Sequence, residues 1–183
     1  MEQQPGAADE QDRALIKRYL DGESDVAGDL VDRYQKRLFN VALRMLDNAQ
    51  DAEDVTQTVF FNAFLKLRTY DPRYKFFSWV YRMTVNESLN LLKRRKQTVT
   101  LEDETAIPAV EAMIDDATEL QRHVGKALMK LNPNDRAVVV LRHFMFFSYD
   151  QIADVLEIPV QTVKSRLFTA RERLRGTLRE RVS

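Results

Sequence analysis

The chain has no cysteine, so neither a disulfide nor thiolate chemistry is open to it. Its two histidines, His123 and His143, are too few and too far apart in sequence to suggest a metal site. No Gly-rich phosphate loop is present, and no carboxylate pair is set with a histidine. The chain is therefore not expected to be an enzyme, and neither a metal nor a cofactor is expected. Five glycines, five prolines and a scarcity of alternating apolar and polar residues argue against sheets and hairpins. No apolar run approaches the ~18 residues that span a bilayer, which excludes direct membrane insertion. The first residues, MEQQPGAADEQD, are polar and acidic, unlike a signal peptide. These absences lead to an all-α protein, soluble and cytoplasmic.

Net charge is also missing, but only in the total. The 183 residues hold 28 Lys and Arg against 28 Asp and Glu. Residues 1–97 carry 16 basic and 15 acidic side chains, close to balance. Residues 98–120 carry 7 acidic side chains and no basic one. Residues 121–183 carry 12 basic and 6 acidic. A basic C-terminal unit and an acidic connector are hidden in the neutral sum, which points to a nucleic-acid footprint on one part of the chain.

The most informative stretch is SYDQIADVLEIPVQTVKSRLFTARERLR, residues 148–175. Ser148 with Gln151 three residues on fits a capping box, which starts a helix. Ile152, Ala153, Val155 and Leu156 give that helix an apolar face. Pro159 suits the start of a second helix, because its ring presets φ and the first turn does not need its missing donor. Val163, Leu167, Ala170 and Leu174 then recur at helical spacing and point inward. Gln161, Thr162, Lys164, Ser165, Arg166, Phe168, Thr169, Arg171 and Arg173 are left on or near the outer face. This is the pattern of a helix-turn-helix whose second helix is shaped for the major groove. Glu157 stands where such a turn most often carries glycine, so the turn is expected to be reshaped or mildly strained.

Upstream, residues 12–20 are expected to form a short helix and 26–46 a longer one, with Leu30, Tyr34, Leu38, Val41 and Met45 on one stripe. Asp51 is placed as the cap of the next helix, with Val55, Val59, Ala63 and Leu67 inward and Phe60 and Phe64 beside them. Thr69 to Lys75 is a loop around Pro72, and a helix follows from about Phe77 to Lys96. The organisation is a four-helix domain over 10–97, a flexible acidic linker over 98–117 and a second helical domain over 118–183. In the second, helices over 118–131 and 135–146 flank the break Asn132-Pro133-Asn134 and precede the helix-turn-helix.

Several clusters admit two explanations on their residues alone. Asp51, Glu53 and Asp54 are favoured at a helix N-terminus by the macrodipole, and with Gln57 they also offer a face to a basic partner. Of Phe76, Phe77, Trp79 and Tyr81 some must be core, Trp79 first among them. Aromatics beside Lys and Arg are equally what single-stranded DNA uses for stacking and phosphate contact. The run Lys93 to Lys96 is either a solvated helix end or a phosphate grip.

Taken in order, four features are more specific than any one alone. They are the acidic start Asp51 to Gln57, the aromatic block Tyr74 to Tyr81, the run Arg82 to Asn86 with the basic end Lys93 to Lys96, and the C-terminal helix-turn-helix. This order, over about residues 12–179, resembles bacterial extracytoplasmic-function (ECF) sigma factors of the sigma-70 family. The resemblance implies a first domain like sigma region 2, which binds core RNA polymerase and the −10 element, and a last domain like region 4, which binds the −35 element. It implies polymerase contacts at Asp51, Glu53, Asp54 and Gln57. It implies −10 contacts at Tyr74, Lys75, Phe76, Trp79, Arg82, Asn86, Lys93, Arg94 and Arg95, with a base pocket formed by the loop over 69–75 and Asn86. The matching −35 positions are Lys164, Ser165, Arg166, Phe168, Thr169 and Arg173, with Arg142 and Arg171 on phosphates or paired with nearby acids. Several relatives carry a basic residue where Thr169 stands, which leaves the base preference there open. The linker would thread toward the polymerase active site or serve as a self-repelling acidic spacer. The implied partners are core RNA polymerase, promoter DNA and an anti-sigma factor. A stand-alone helix-turn-helix regulator is the rival reading, and it accounts for residues 118–183 only.

Overall fold

The computed structural model describes residues 5–71, 73–99 and 119–179; the acidic linker lies outside them except for the end of one helix. Eight helices follow one another: α1 (Pro5–Leu20), α2 (Val26–Leu46), α3 (Ala49–Lys66), α4 (Phe76–Val99), α5 (Glu119–Met129), α6 (Pro133–His143), α7 (Tyr149–Leu156) and α8 (Val160–Arg179). A single 3-10 turn, Leu67–Thr69, closes α3. No strand occurs among the described residues, in keeping with the all-α expectation.

The stripe Leu30, Tyr34, Leu38, Val41 and Met45 is buried, and α2 lies with it against α3 and α4. Val55, Val59, Ala63 and Leu67 are buried from α3, with Phe60 and Phe64 at their edge. Polar positions inside this core are satisfied locally. Thr56 donates to the Ala52 carbonyl (2.6 Å), Thr84 to Val80 (2.9 Å) and Ser88 to Thr84 (2.8 Å), so each hydroxyl uses its own helix as acceptor.

Helix ends correct four expectations. Asn48, not Asp51, caps α3: its side chain accepts from the Asp51 N–H at 3.0 Å, and Asp51 sits within the first turn. Asn132 caps α6 with Pro133 at the first position, so α6 begins two residues early and ends at His143 rather than 146. The first helix reaches back to Pro5. In the aromatic block Phe76 and Tyr81 are the buried rings, whereas Trp79 is half-buried. The helix-turn-helix forms as its sequence pattern requires. Both halves of the Ser148–Gln151 capping box are made, and Val163, Leu167 and Ala170 are fully buried. Glu157 takes the left-handed conformation, φ 52° and ψ 44°.

The two units are not separate bodies. Their buried residues join into one apolar cluster in which α2 and α4 pack on α5, α6 and α7. Phe147 lies against Tyr81 (ring centres 4.9 Å apart) and Phe77 (5.5 Å). The Arg44 guanidinium covers the Phe144 ring at 3.7 Å. The two units thus share one core.

Candidate nucleic-acid interface

On α8 the burial pattern separates two faces cleanly. Val163, Leu167 and Ala170 point into the core, and Lys164, Ser165, Phe168, Thr169, Arg171 and Arg173 are exposed, with Arg166 half-buried. Phe168 is 68% exposed, a ring that α8 holds in water with no core role. Ser165 donates to the Thr162 carbonyl (3.0 Å), and Arg173 lies 3.7 Å from Asp135. Arg142, expected on a phosphate or a nearby acid, is engaged otherwise. It donates to the Phe147 carbonyl (2.7 Å) and lies over the Tyr149 ring (5.0 Å), so it braces the turn into α7. Burial first, and then the neighbouring Arg171 and Arg142, hold the His143 imidazole below its usual range. That ring is neutral at neutral pH, and the positive charge of the face comes from its lysines and arginines.

The aromatic block is only partly open. Tyr74 and Lys75 are exposed, and Lys75 sits 3.7 Å from Asp9 and 5.7 Å above the Phe77 ring. Phe76 is buried against Tyr34 (5.6 Å) and Tyr70 (5.7 Å), so its ring belongs to the core and not to a base-stacking surface. Trp79 packs on Tyr70 at 5.4 Å and keeps part of its indole outside. Burial pushes the Tyr70 phenol up to about 12, and its O–H donates to the Tyr74 carbonyl at 2.5 Å, which closes the loop over the start of α4. Asn86 and Lys93 are exposed on α4. Arg94 pairs with Glu87 (3.0 Å). Arg82, expected on a phosphate, instead reaches the end of α7.

The acidic positions of α3 split. Glu53, Asp54 and Gln57 are exposed, with Gln50 donating to Asp54 (3.1 Å) and Gln57 to Glu53 (3.4 Å). Asp51 is half-buried and paired with Arg95 at 2.6 Å, so a carboxylate expected on polymerase meets a guanidinium expected on DNA. The structure adds two residues that sequence reasoning missed. Phe61 and Leu65, each 65% exposed, continue the row Glu53–Gln57 at four-residue spacing. The signal was there: two large apolar residues four apart on the face opposite Val55, Val59 and Ala63.

Among the described residues no group of three or more metal-ligating side chains is assembled, and no helix is long and apolar enough to cross a membrane. Residues 30–98 match the family model for sigma-70 region 2, and residues 121–174 match a model for sigma-70 region 4. The chain is 32% identical to the ECF RNA polymerase sigma factor SigW of Bacillus subtilis, over 90% of this chain and 95% of that protein. It is 33% identical to the RNA polymerase sigma-H factor of Pseudomonas aeruginosa, over 89% and 91%. Among solved structures it is similar to CnrH in complex with the cytosolic domain of CnrY, with TM-score 0.73 and 26% identity over 93% of this chain and 98% of that one. The fold is shared with the sigma factor RpoE of Bartonella quintana bound to the anti-sigma factor NepR, with TM-score 0.68 and 22% identity over 83% and 96%. The two-faced α8, the helical unit before it and likeness over most of the chain to these proteins agree: the chain belongs to the ECF sigma factors of the sigma-70 family.

Proposed function

We propose that this chain acts in the cytoplasm as the promoter-specificity subunit of RNA polymerase, binding core enzyme and reading two promoter elements without catalysing a step itself. The observation that carries this is the division of α8, with its aliphatic residues fully buried and its basic and polar residues exposed along one face. Lys164, Arg171 and Arg173 supply phosphate contacts, and Ser165, Arg166, Phe168 and Thr169 lie where base edges are read. Phe168 suits a thymine methyl.

In the first unit, Tyr74, Trp79 and Asn86 with Lys93, Arg94 and Arg95 form the surface for the melted −10 strand, by stacking and phosphate neutralisation. Arg82 joins this surface once it leaves α7. The α3 row Glu53, Gln57, Phe61 and Leu65 docks on core polymerase, its acidic end steering and its apolar end burying. The domains divide at the acidic segment over 98–117, as the sequence indicates. An anti-sigma protein is the natural regulator, since a structural relative was solved with NepR, an anti-sigma factor. A stand-alone regulator would leave α3 and the aromatic block without a purpose.

Binding of purified bacterial core polymerase to the wild type and to an E53K/D54K variant tests the docking face. Loss of binding in a folded variant is the expected result, and unchanged binding contradicts it. K164A should retain core binding and weaken promoter-directed initiation.

A further inference from the structure

Three non-glycine residues among those described have left-handed backbone: Asp47, Phe146 and Glu157. Each costs on the order of 1 kcal/mol relative to glycine, and all three lie along the seam between the two units. Asp47 ends α2 where Arg136 of α6 arrives. Phe146 lies between Met145 and Phe147, which both touch Tyr81. Glu157 ends α7 at the point where Arg82 of α4 arrives.

The two arginines do reciprocal work. Arg136 is 5% exposed and donates to the Leu128, Met129 and Leu131 carbonyls of its own unit and to the Met45 carbonyl at the end of α2. Arg82 crosses the other way. Its guanidinium donates to the carbonyls of Asp154 (2.6 Å) and Val155 (3.3 Å), which α7 leaves without helical partners, and to the Glu157 carboxylate (2.7 Å). The ends of the seam differ in strength. Arg136 is sealed from water, whereas the Glu157 side chain is 66% exposed and that of Arg82 is 29% exposed. A pair so placed is worth little and is screened by salt, so this end opens first.

We infer that Glu157 is a latch: it replaces the glycine that the turn would favour in order to hold Arg82, and so sets the population of a closed form in which that arginine is withheld from DNA. The left-handed conformation belongs to the turn between α7 and α8 and is present in either form, so it is the carboxylate's bond to Arg82 that favours the closed one. α7 and Glu157 engage Nε, Nη1 and Nη2 of Arg82, so a phosphate gripped through those groups would compete with them. The withholding part rests on the DNA role proposed above for the first unit; the latch itself does not.

The test uses the full chain, whose lack of cysteine permits site-specific labelling. Dyes at Q35C on α2 and K130C after α5, both exposed positions, report separation of the units by energy transfer. E157G keeps the turn and removes the carboxylate; E157Q keeps the side chain and removes its charge. Both are expected to lower the closed-to-open ratio about threefold, the size of a half-exposed ion pair, and to flatten its salt dependence. Binding of the oligonucleotide dT20 is expected to tighten by a similar factor in E157G, and the gain should vanish when R82A is added. Unchanged transfer and unchanged salt dependence in both Glu157 variants would overturn the latch. Lower transfer with dT20 affinity unchanged would overturn the withholding of Arg82. If no variant binds dT20 while transfer still falls, the latch stands and the DNA role of the first unit fails.

Discussion

Asp12 is a carboxyl group shielded from water almost completely, accepting from the Tyr34 hydroxyl (2.5 Å) and from Arg33 (3.1 Å). Burial raises its pKa above the usual carboxylate value, and the Tyr34 and Arg33 contacts only partly oppose this. The folded state thus holds the proton more firmly than the unfolded chain. The stabilisation this provides is complete below the unfolded value near 3.8 and fades as pH rises through the raised folded value. Protection of the α1 amides relative to their intrinsic exchange rates should fall across that window in the wild type, and the fall should be absent in D12N. Phe146 gives a second prediction at this scale. Its ring is 82% exposed on a left-handed residue, so F146G should raise stability by up to about 1 kcal/mol, measured by denaturant unfolding.

At the level of elements, helix ends decide more than propensity. N48A should cost about 1 kcal/mol by removing the cap of α3, and thermal unfolding checks it. On α8, K164A should weaken promoter binding about equally across sequences and lower its salt slope by roughly 1. F168A should change base preference with stability altered by less than about 0.5 kcal/mol, because an exposed ring leaves no cavity. The elements most legible in the sequence were those with strong local signals. The α2 stripe and the Ser148–Gln151 box both form as the pattern requires. Asp51 was misplaced because Asn48 and Asp51 both suit a cap, and only backbone geometry selects between them. Phe76 and Trp79 changed places because one helical turn cannot show which ring meets Tyr34 across the core. Arg82 was expected on phosphate and Arg142 on phosphate or a nearby acid, and their carbonyl partners at 72 and 5 residues' distance have no sequence signature.

At the scale of the whole molecule, the seam is where charge, strain and packing meet. Arg136 keeps its charge in spite of burial, which lowers its pKa, because Asp47 lies near and four carbonyls accept its donors. R136A leaves those carbonyls buried and unbonded, at a cost of about 3 kcal/mol. The units should then unfold in two resolved steps, read by calorimetry, where the wild type unfolds in one. Polymerase can stabilise an open arrangement of the units only by outbidding this interface, so docking and promoter reading are energetically linked. The measurement that addresses this account most directly is run-off transcription by purified bacterial core polymerase on a randomised promoter library, with and without the protein. The account predicts new start sites that share two motifs at one spacing, weakened by K164A and lost with E53K/D54K. No new start sites, in a mixture where the protein neither binds core nor changes its products, would contradict it.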